Sequence, residues 1–396
     1  MANPVICSIA RTPIGKFNGV FTPLTAMDLG GVAIGGALER AGLEPARVDE
    51  VLFGHVIQAG QGQITARQAG RNGGVPLTVP ATTINKVCLS GMTAIAEASR
   101  HIRLGEATFV VAGGMESMTN APYVLPGARQ GLRLGDAVLV DAMNHDGLWC
   151  AFDNCIMGES SDHKNRILGI AREEQDAWAA ASHARARAAT DSGVFADEIV
   201  PVAVPQRRGE PVQVTIDEGI RPTTVEALAG LRPAFAPDGT ITAGNASQIS
   251  DGAAAVVVAD RTAAEAAGLP VLAEIIAYGQ TAGPDATLHE RPAEALRIAL
   301  KRADLDVSDL DLVEINEAFA AVALWSAGLL GLGHDKVNVN GGAVALGHPL
   351  GASGARITIS LINALRHRGG GIGGAALCGG GGQGDALIVK VEGAGR

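Results

Sequence analysis

Three residues in this chain have the type and setting to carry covalent and proton-transfer chemistry: Cys88, His348 and Cys378. Cys88 follows the run Thr82-Thr-Ile-Asn-Lys-Val87 and precedes Ser90-Gly91 and a helical pattern. At such a strand-to-helix junction the helix dipole and free backbone amides favour a thiolate, so the pKa is expected to fall from about 8.5 toward neutrality. A buried structural cysteine is the ordinary alternative. His348 sits in Asn340-Gly-Gly-Ala-Val-Ala-Leu-Gly-His348-Pro-Leu-Gly-Ala-Ser-Gly354. Pro349 and the flanking glycines are expected to fix its ring at a bend next to a helix start; a tight turn with an incidental histidine is the plainer reading. Cys378 ends a strand and opens into Gly379-Gly-Gly-Gly-Gln-Gly384. Backbone so bare is expected to face a ligand, with amides free to stabilise an oxyanion.

Nucleotide loops explain these glycines poorly. Gly342 and Gly347 have phosphate-loop spacing, but His and Pro stand where Lys and Ser/Thr must follow. Gly379, Gly381 and Gly384 fit a dinucleotide fingerprint, yet only a short strand, Ala386 to Val391, follows, with no room for a βαβ unit. Val313-Glu-Ile-Asn316-Glu-Ala-Phe-Ala320 groups two carboxylates and an amide, which a helix cap would explain. Cys150 and Cys155 lack a companion Cys/His pair, so no metal site is expected.

The elements that must position these residues repeat. Residues 37–54 and 299–316 align at an offset of 262, with Ala37, Leu38, Arg40, Ala41, Leu43, Asp49 and Val51 each meeting an identical residue. Each copy reads as a helix end, a polar turn and an apolar strand. Further on, the strand into Cys88 leads to a helix bearing Met92, Ile95, Ser99 and Ile102, then the strand Thr108–Ala112 and Gly113-Gly114. In parallel, a strand Val337–Asn340 leads to His348, a helix bearing Ile357, Leu361 and Leu365, and the strand Ala375–Cys378 before Gly379-Gly380. Duplication is the reading, giving two βαβ-containing halves with mainly parallel sheets. The predicted class is α/β, with layers of helix, sheet, helix, sheet and helix. The predicted domains are 1–118 plus 250–270, an inserted loop domain at 119–249, and 271–396. The insertion contains an amphipathic helix near 172–190 and an Arg207-Arg208-Gly209 turn, and is expected to serve as a lid or binding region.

The chain's 396 residues allow two or three domains, and 47% hydrophobic with only 3% aromatic composition suits closely approaching backbones. A net charge of −10 argues against nucleic-acid binding. No apolar run reaches the roughly 18 residues of a membrane helix. No signal peptide is read at the N-terminus, and the C-terminal Gly-Ala-Gly-Arg matches no anchoring or peroxisomal signal. Five cysteines without framework spacing point to reduced thiols and a cytoplasmic protein.

Five segments in order resemble the thiolase family across essentially the whole chain. They are Asn85-Lys-Val-Cys88-Leu-Ser-Gly91, Ala112-Gly-Gly-Met-Glu-Ser117, Asn316-Glu-Ala-Phe-Ala320, Asn340-Gly-Gly-Ala through Gly347-His348-Pro349, and Cys378-Gly-Gly-Gly-Gly-Gln-Gly384. The resemblance implies a five-layered αβαβα fold and reversible condensation of two acetyl-CoA to acetoacetyl-CoA. Cys88 would hold the acyl group, His348 take its proton, and Cys378 move the proton at the α-carbon of the second acetyl-CoA. Asn316, through a water, and His348 would form one oxyanion hole, the backbone amides of Cys88 and Gly380 the other. CoA thioesters would be substrates, with no separate cofactor. They would contact Leu148, Met157, Arg221, Phe235, Ala243, Ser247, Ala318 and Phe319.

One departure bears on specificity. Ile156-Met157-Gly158 stands where short-chain thiolases carry His-Met-Gly, and Ser160-Ser161-Asp162 replaces Thr-Ala-Glu. Long-chain degradative relatives also often lack the histidine, so a 3-ketoacyl-CoA thiolase of broader chain length is the alternative. A β-ketoacyl carrier-protein synthase would use Cys with two His, or His and Asn, and has no use for Cys378; an inactive CoA-binding scaffold is the remaining reading. The family implies a dimer or homotetramer, with Pro122 to Met143 as a tetramerisation loop.

Overall fold

The computed structural model describes residues 2–393; Met1 and residues 394–396, which end the C-terminal run read above for targeting signals, lie outside them. The first half runs β1 (Pro4–Arg11), α1 (Ala26–Ala41), β2 (Glu50–Gly54), α2 (Thr65–Asn72), β3 (Ala81–Ile84), α3 (Ser90–Leu104) and β4 (Phe109–Ser117). A long excursion carries α4 (Met157–Leu168) and α5 (Arg172–Asp191) before the chain returns as β5 (Ser250–Asp260). The second half contributes β6 (Ala273–Ala282), α6 (Arg291–Ala303), β7 (Leu312–Ile315), α7 (Ala320–Leu330), α8 (Leu350–His367), β8 (Gly371–Gly379) and β9 (Gln383–Val391).

The repeat is visible in local structure. α1 ends at Gly42 and α6 at Asp304, both left-handed with φ 67° and 55°. Each is followed by a single 3-10 turn, Pro45–Arg47 and Val307–Asp309, and then by a strand. Asp49 accepts a hydrogen bond from the Phe109 N–H at 2.9 Å, and its counterpart Asp311 accepts one from the Ile372 N–H at 2.8 Å. Each aspartate pins the start of its strand to the neighbouring strand.

The strands form one sheet in the order β7-β8-β9-β6-β1-β5-β4-β2-β3, with Gly15–Lys16 beside β5. The mainly parallel expectation is corrected here. Parallel pairing holds only for β2/β3, β2/β4 and β7/β8, while the other five neighbouring pairs are antiparallel. The cause is connectivity. A turn as short as residues 380–382 between β8 and β9 permits only a hairpin, and β5 enters antiparallel to β4 after the excursion. The two halves join at β1/β6, through Val5 opposite Glu274 and Ile6 opposite Ala273. A second correction concerns residues 337–340, which make one bridge, Val337 to Val313, rather than a strand. Asn338 adopts φ 49° there, and its side chain bonds the backbone N–H and C=O of Ile315 at 2.8 Å each.

The layering follows the prediction. α1 and α2 cover one outer face with Leu29, Ile34 and Ala69, and α6 and α7 the other with Leu296, Leu300 and Ala323. Between the sheet's two halves lie α3 and α8, whose cluster draws Leu52 and Val256 from one side and Leu377 and Val389 from the other. Burying each such side chain stabilises by about 1.5–3 kcal/mol, so this middle layer is a main source of cohesion. The two helices approach closely because glycines face each other. A Cβ on Gly91 would lie 2.8 Å from the Gly351 carbonyl oxygen, and one on Gly354 would lie 2.5 Å from the Met92 nitrogen. That contact brings the two helix starts, with Cys88 before one and His348 before the other, to the same place.

Candidate active site

The turn carrying Cys88 is over-determined. Val87, a β-branched residue, is held at φ 51°, a left-handed conformation that costs on the order of 1–3 kcal/mol. Asn85 Oδ1 accepts from the Val87 N–H at 3.0 Å. Ser90 Oγ accepts from the Lys86 N–H at 2.8 Å and donates to the Val87 carbonyl at 2.6 Å. These bonds fix the sulfur just ahead of α3, among Val56, Ile57, Met118 and Leu350.

Burial reverses the expected acidity. Desolvation pushes the Cys88 thiol up to about 12, Glu116 adds to the rise, and the backbone N–H groups of Cys88 and Gly380 pull the other way. Dipole and amides are present as read from the sequence, but they are outweighed because a thiolate here would have little water around it. Cys378 is buried in the same way, and its thiol is held well above its ordinary value by desolvation and then by Cys88.

His348 is set by both chain and side-chain bonds. Its N–H donates to the Gln248 carbonyl at 3.0 Å, and Gln248 Nε2 donates to the carbonyls of Gly219, Val344 and Ala345. Gly347 before it has φ 114°, and a Cβ there would meet Ser250 Oγ at 2.2 Å, so only glycine fits. Nδ1 lies 2.6 Å from Ser353 Oγ, whose hydroxyl donates to the Pro349 carbonyl at 2.9 Å. With that hydroxyl proton committed, Ser353 accepts from Nδ1–H, which leaves Nε2 as the basic nitrogen. Nε2 is buried and has no protein partner. Desolvation, then the charge of Arg356, lowers the pKa to about 3, so the ring is neutral.

Asn316, at the end of β7, places Nδ2 3.5 Å from His348 Nδ1 and accepts from Arg356 Nη2 at 3.3 Å. Neighbouring Glu317 is not a helix cap. Its carboxylate accepts from Trp178 Nε1, Ser182 Oγ, Asn338 Nδ2 and the Val344 N–H at 2.8–3.0 Å, tying α5 to the histidine loop.

Cys88, His348, Cys378 and Gly380 line one small cavity of about 50 Å³. Leu148, Met157, Ser247, Ala318 and Phe319 close it. A larger cavity of about 450 Å³ shares Leu148, Met157, Ser247, Phe319, His348 and Leu350 with it, and adds Phe235, Ala243, Ile156 and Gly158. The pair forms an apolar approach leading to two thiols and an imidazole. Seven of the eight expected CoA-contacting residues therefore meet along one path. Arg221 is exposed and belongs to neither cavity lining, and Asn316 lies behind the imidazole, also outside both linings. Sequence reasoning missed Lys16 at the outer cavity, Ser353 and Glu116, although the last two fall inside motifs already quoted.

The glycine run after Cys378 is not kept bare for a ligand throughout. Gly381 and Gly382, at φ 78° and 70°, make the hairpin turn. A Cβ on Gly379 would strike Leu89 at 2.6 Å, and one on Gly384 the Arg291 carbonyl oxygen at 2.4 Å. Gly380 alone of the glycines after Gly379 lines the small cavity.

A layered duplicated sheet with two thiols and a histidine at the junction of its halves defines a thiolase-type acyl-transfer site. The chain belongs to the thiolase family: the thiolase N-terminal domain matches residues 4–262, and the thiolase C-terminal domain residues 269–391. It is 55% identical over 391 residues to a probable acetyl-CoA acetyltransferase of Mycobacterium tuberculosis, covering 98% of this chain and 100% of that one. It is 50% identical over 390 residues to an acetyl-CoA acetyltransferase of Pseudomonas aeruginosa, covering 98% and 99%. The crystal structure of the Bacillus anthracis acetyl-CoA acetyltransferase superposes with a TM-score of 0.96 at 43% identity, over 99% of each chain.

Proposed function

We propose that this chain is an acyltransferase catalysing reversible condensation of two acetyl-CoA to acetoacetyl-CoA and CoA, through an acyl group carried on Cys88. The observation that carries the reading is the small cavity bounded by Cys88, His348, Cys378 and Gly380. Cys88 Sγ attacks the thioester carbon as its proton passes to the unpartnered His348 Nε2, and CoA leaves with that proton. A resting thiol near 12 opposite a neutral imidazole means that the nucleophile forms only as the substrate arrives. Cys378 then passes its own proton to His348 Nε2 and takes the α-proton of the second acetyl-CoA; the enolate attacks the acyl carbon, and Cys88 departs and recovers a proton from His348. The amides of Cys88 and Gly380 suit the oxyanion of the Cys88 adduct. Once protonated, His348 Nε2 would donate to the second thioester oxygen, and Asn316, outside both cavity linings, would reach it through a water. Side chains and backbone amides suffice for this sequence of steps without a cofactor.

The test is direct. After incubation with acetyl-CoA, digestion should find an acetyl group on the Cys88 peptide, and Cys88→Ala should abolish turnover. Full turnover in that variant overturns the proposal. A second reading, a degradative 3-ketoacyl-CoA thiolase of broader chain length, is favoured by apolar Ile156 lining the larger cavity. Thiolysis rates across 3-ketoacyl-CoA esters of increasing length separate the two.

Assembly and location belong to the same reading. Residues 122–143 expose Tyr123, Leu132, Leu134, Val138 and Leu139, an apolar arm that a second copy would cover in a dimer or homotetramer. Sedimentation of the protein and of a Leu134→Glu variant tests this. The free cysteines suit the cytoplasm.

A further inference from the structure

A hairpin beside the cavities carries two cysteines that this chemistry does not use. Trp149–Cys150 pairs antiparallel with Cys155–Ile156, placing Cys150 directly opposite Cys155. Opposed residues in such a ladder have Cα atoms about 4.5–5.5 Å apart, inside the roughly 4.4–6.8 Å that a disulfide spans. Both are free thiols; Cys150 is buried and Cys155 is partly exposed, open to a reagent.

The hairpin also forms part of the ligand path. Leu148 precedes it, Ile156 belongs to it and Met157 follows it, and all three line the larger cavity. Leu148 and Met157 line the small cavity as well. At its tip the Phe152 ring reaches the turn after Gly380, where a Cβ on Gly381 would meet Phe152 Cε2 at 3.1 Å.

We propose that Cys150 and Cys155 are a redox-active dithiol, oxidised by low-molecular-weight disulfides, that stiffens one wall of the acyl-CoA path. The inference rests on reading the two cavities as that path. The Cys155 thiolate attacks one sulfur of the reagent and expels a thiolate, leaving a mixed disulfide. Cys150 then attacks the Cys155 sulfur and expels the second thiolate. The two protein thiols give up two electrons and two protons, and the reagent is reduced to two thiols. Burial, followed by Glu159 and Asp153, holds the Cys155 thiol above its ordinary value, so the exchange quickens as pH rises. Once bridged across Ala151–Asn154, the hairpin loses freedom to spread around a bound pantetheine chain.

The experiment incubates the full chain with oxidised glutathione above neutral pH, alkylates remaining thiols, and maps the digest alongside steady-state kinetics. The expected result is a Cys150–Cys155 bridge with KM for the CoA ester raised roughly twofold or more, both reversed by dithiothreitol. A Cys150→Ser, Cys155→Ser double variant keeps Cys88 and Cys378; its reduced form should turn over like the parent, and the oxidation-dependent KM shift should vanish. Cys150 and Cys155 recovered alkylated after exposure, or a bridge that leaves KM unmoved, would overturn the inference. A protein that forms the bridge yet turns over no CoA ester counts against the proposed function instead, because the peptide map needs no activity.

Discussion

Glu116 and Cys378 are counterparts, 262 positions apart, on β4 and β8, two strands whose boundaries differ by the same offset. The duplication has placed a buried carboxylate in one half where the other half carries a thiol. Glu116 accepts from the N–H groups of Val56 and Ile57 at 3.1 Å and of Gly351 at 2.9 Å, joining the loop beside Cys88 to the start of α8. Replacing it with Gln sets an amide N–H against one of those donors. Glu116→Gln is expected to lose about 1–3 kcal/mol of stability. Urea unfolding of the two proteins checks this; equal midpoints would remove the tie from the account.

Ser353 orients the base without lining either cavity. Ser353→Ala frees the His348 ring to take the wrong tautomer, so kcat should fall roughly tenfold to a hundredfold, with KM for the CoA ester changed by less than about twofold. A fall in kcat/KM that comes from KM alone would show that the hydroxyl acts on binding instead.

Cys88 should behave as an ordinary buried thiol in the free protein. With its thiol pushed up to about 12, iodoacetamide labelling of the Cys88 peptide should rise about tenfold per pH unit from neutrality upward. A labelling rate already flat at neutral pH would mean a preformed thiolate and would contradict the burial argument.

His183 tests the same principle away from the site. It is buried, its Nδ1 accepts from the Arg221 N–H at 3.2 Å, and desolvation, then Arg221, lowers its pKa from 6.5 to about 4. The folded-state value is depressed, so this histidine's contribution is intact above pH 6.5 and is lost as pH falls through that window. Each such histidine makes stability fall by up to about 1.4 kcal/mol per pH unit. Glu116, pushed up to about 7 by burial, acts in the opposite direction, losing stability as pH rises. His183→Asn should therefore flatten the acid limb of the stability curve relative to the parent, read as unfolding midpoints between about pH 4 and 6.5. Parallel curves would refute it.

The layers and the meeting of Cys88, His348 and Cys378 were legible because they follow from repeat and motif order. Strand direction was legible only in part: the short turn at residues 380–382 announces the β8/β9 hairpin, but nothing local in β5 records that it enters antiparallel between β1 and β4. The acidity of Cys88 was misread for a related reason. The helix start is written in Ser90-Gly91, but the desolvating neighbours Val56, Met118 and Leu350 come from three distant segments. Glycines after Cys378 looked like one device; only the neighbours Leu89, Arg291 and Asp285 reveal that most serve turn and packing. The Glu116 partners, Val56, Ile57 and Gly351, come from distant segments that no spacing announces, whereas the Ser353 partners, His348 and Pro349, lie within one turn of it and were open to a helical reading.

The position of β1 has a consequence for biogenesis. The opening strand of the chain lies mid-sheet, and its ladder partners are β5 and β6, from residue 250 onward. A nascent chain thus carries Val5, Ile6 and Ile9 without these partners until β5, which begins at Ser250, has been made. Closure of such distant pairings is slow and leaves apolar strand exposed meanwhile. Strand β1 is made long before β5 and β6 and is secured only with them, so chaperone capture during synthesis should centre on this segment.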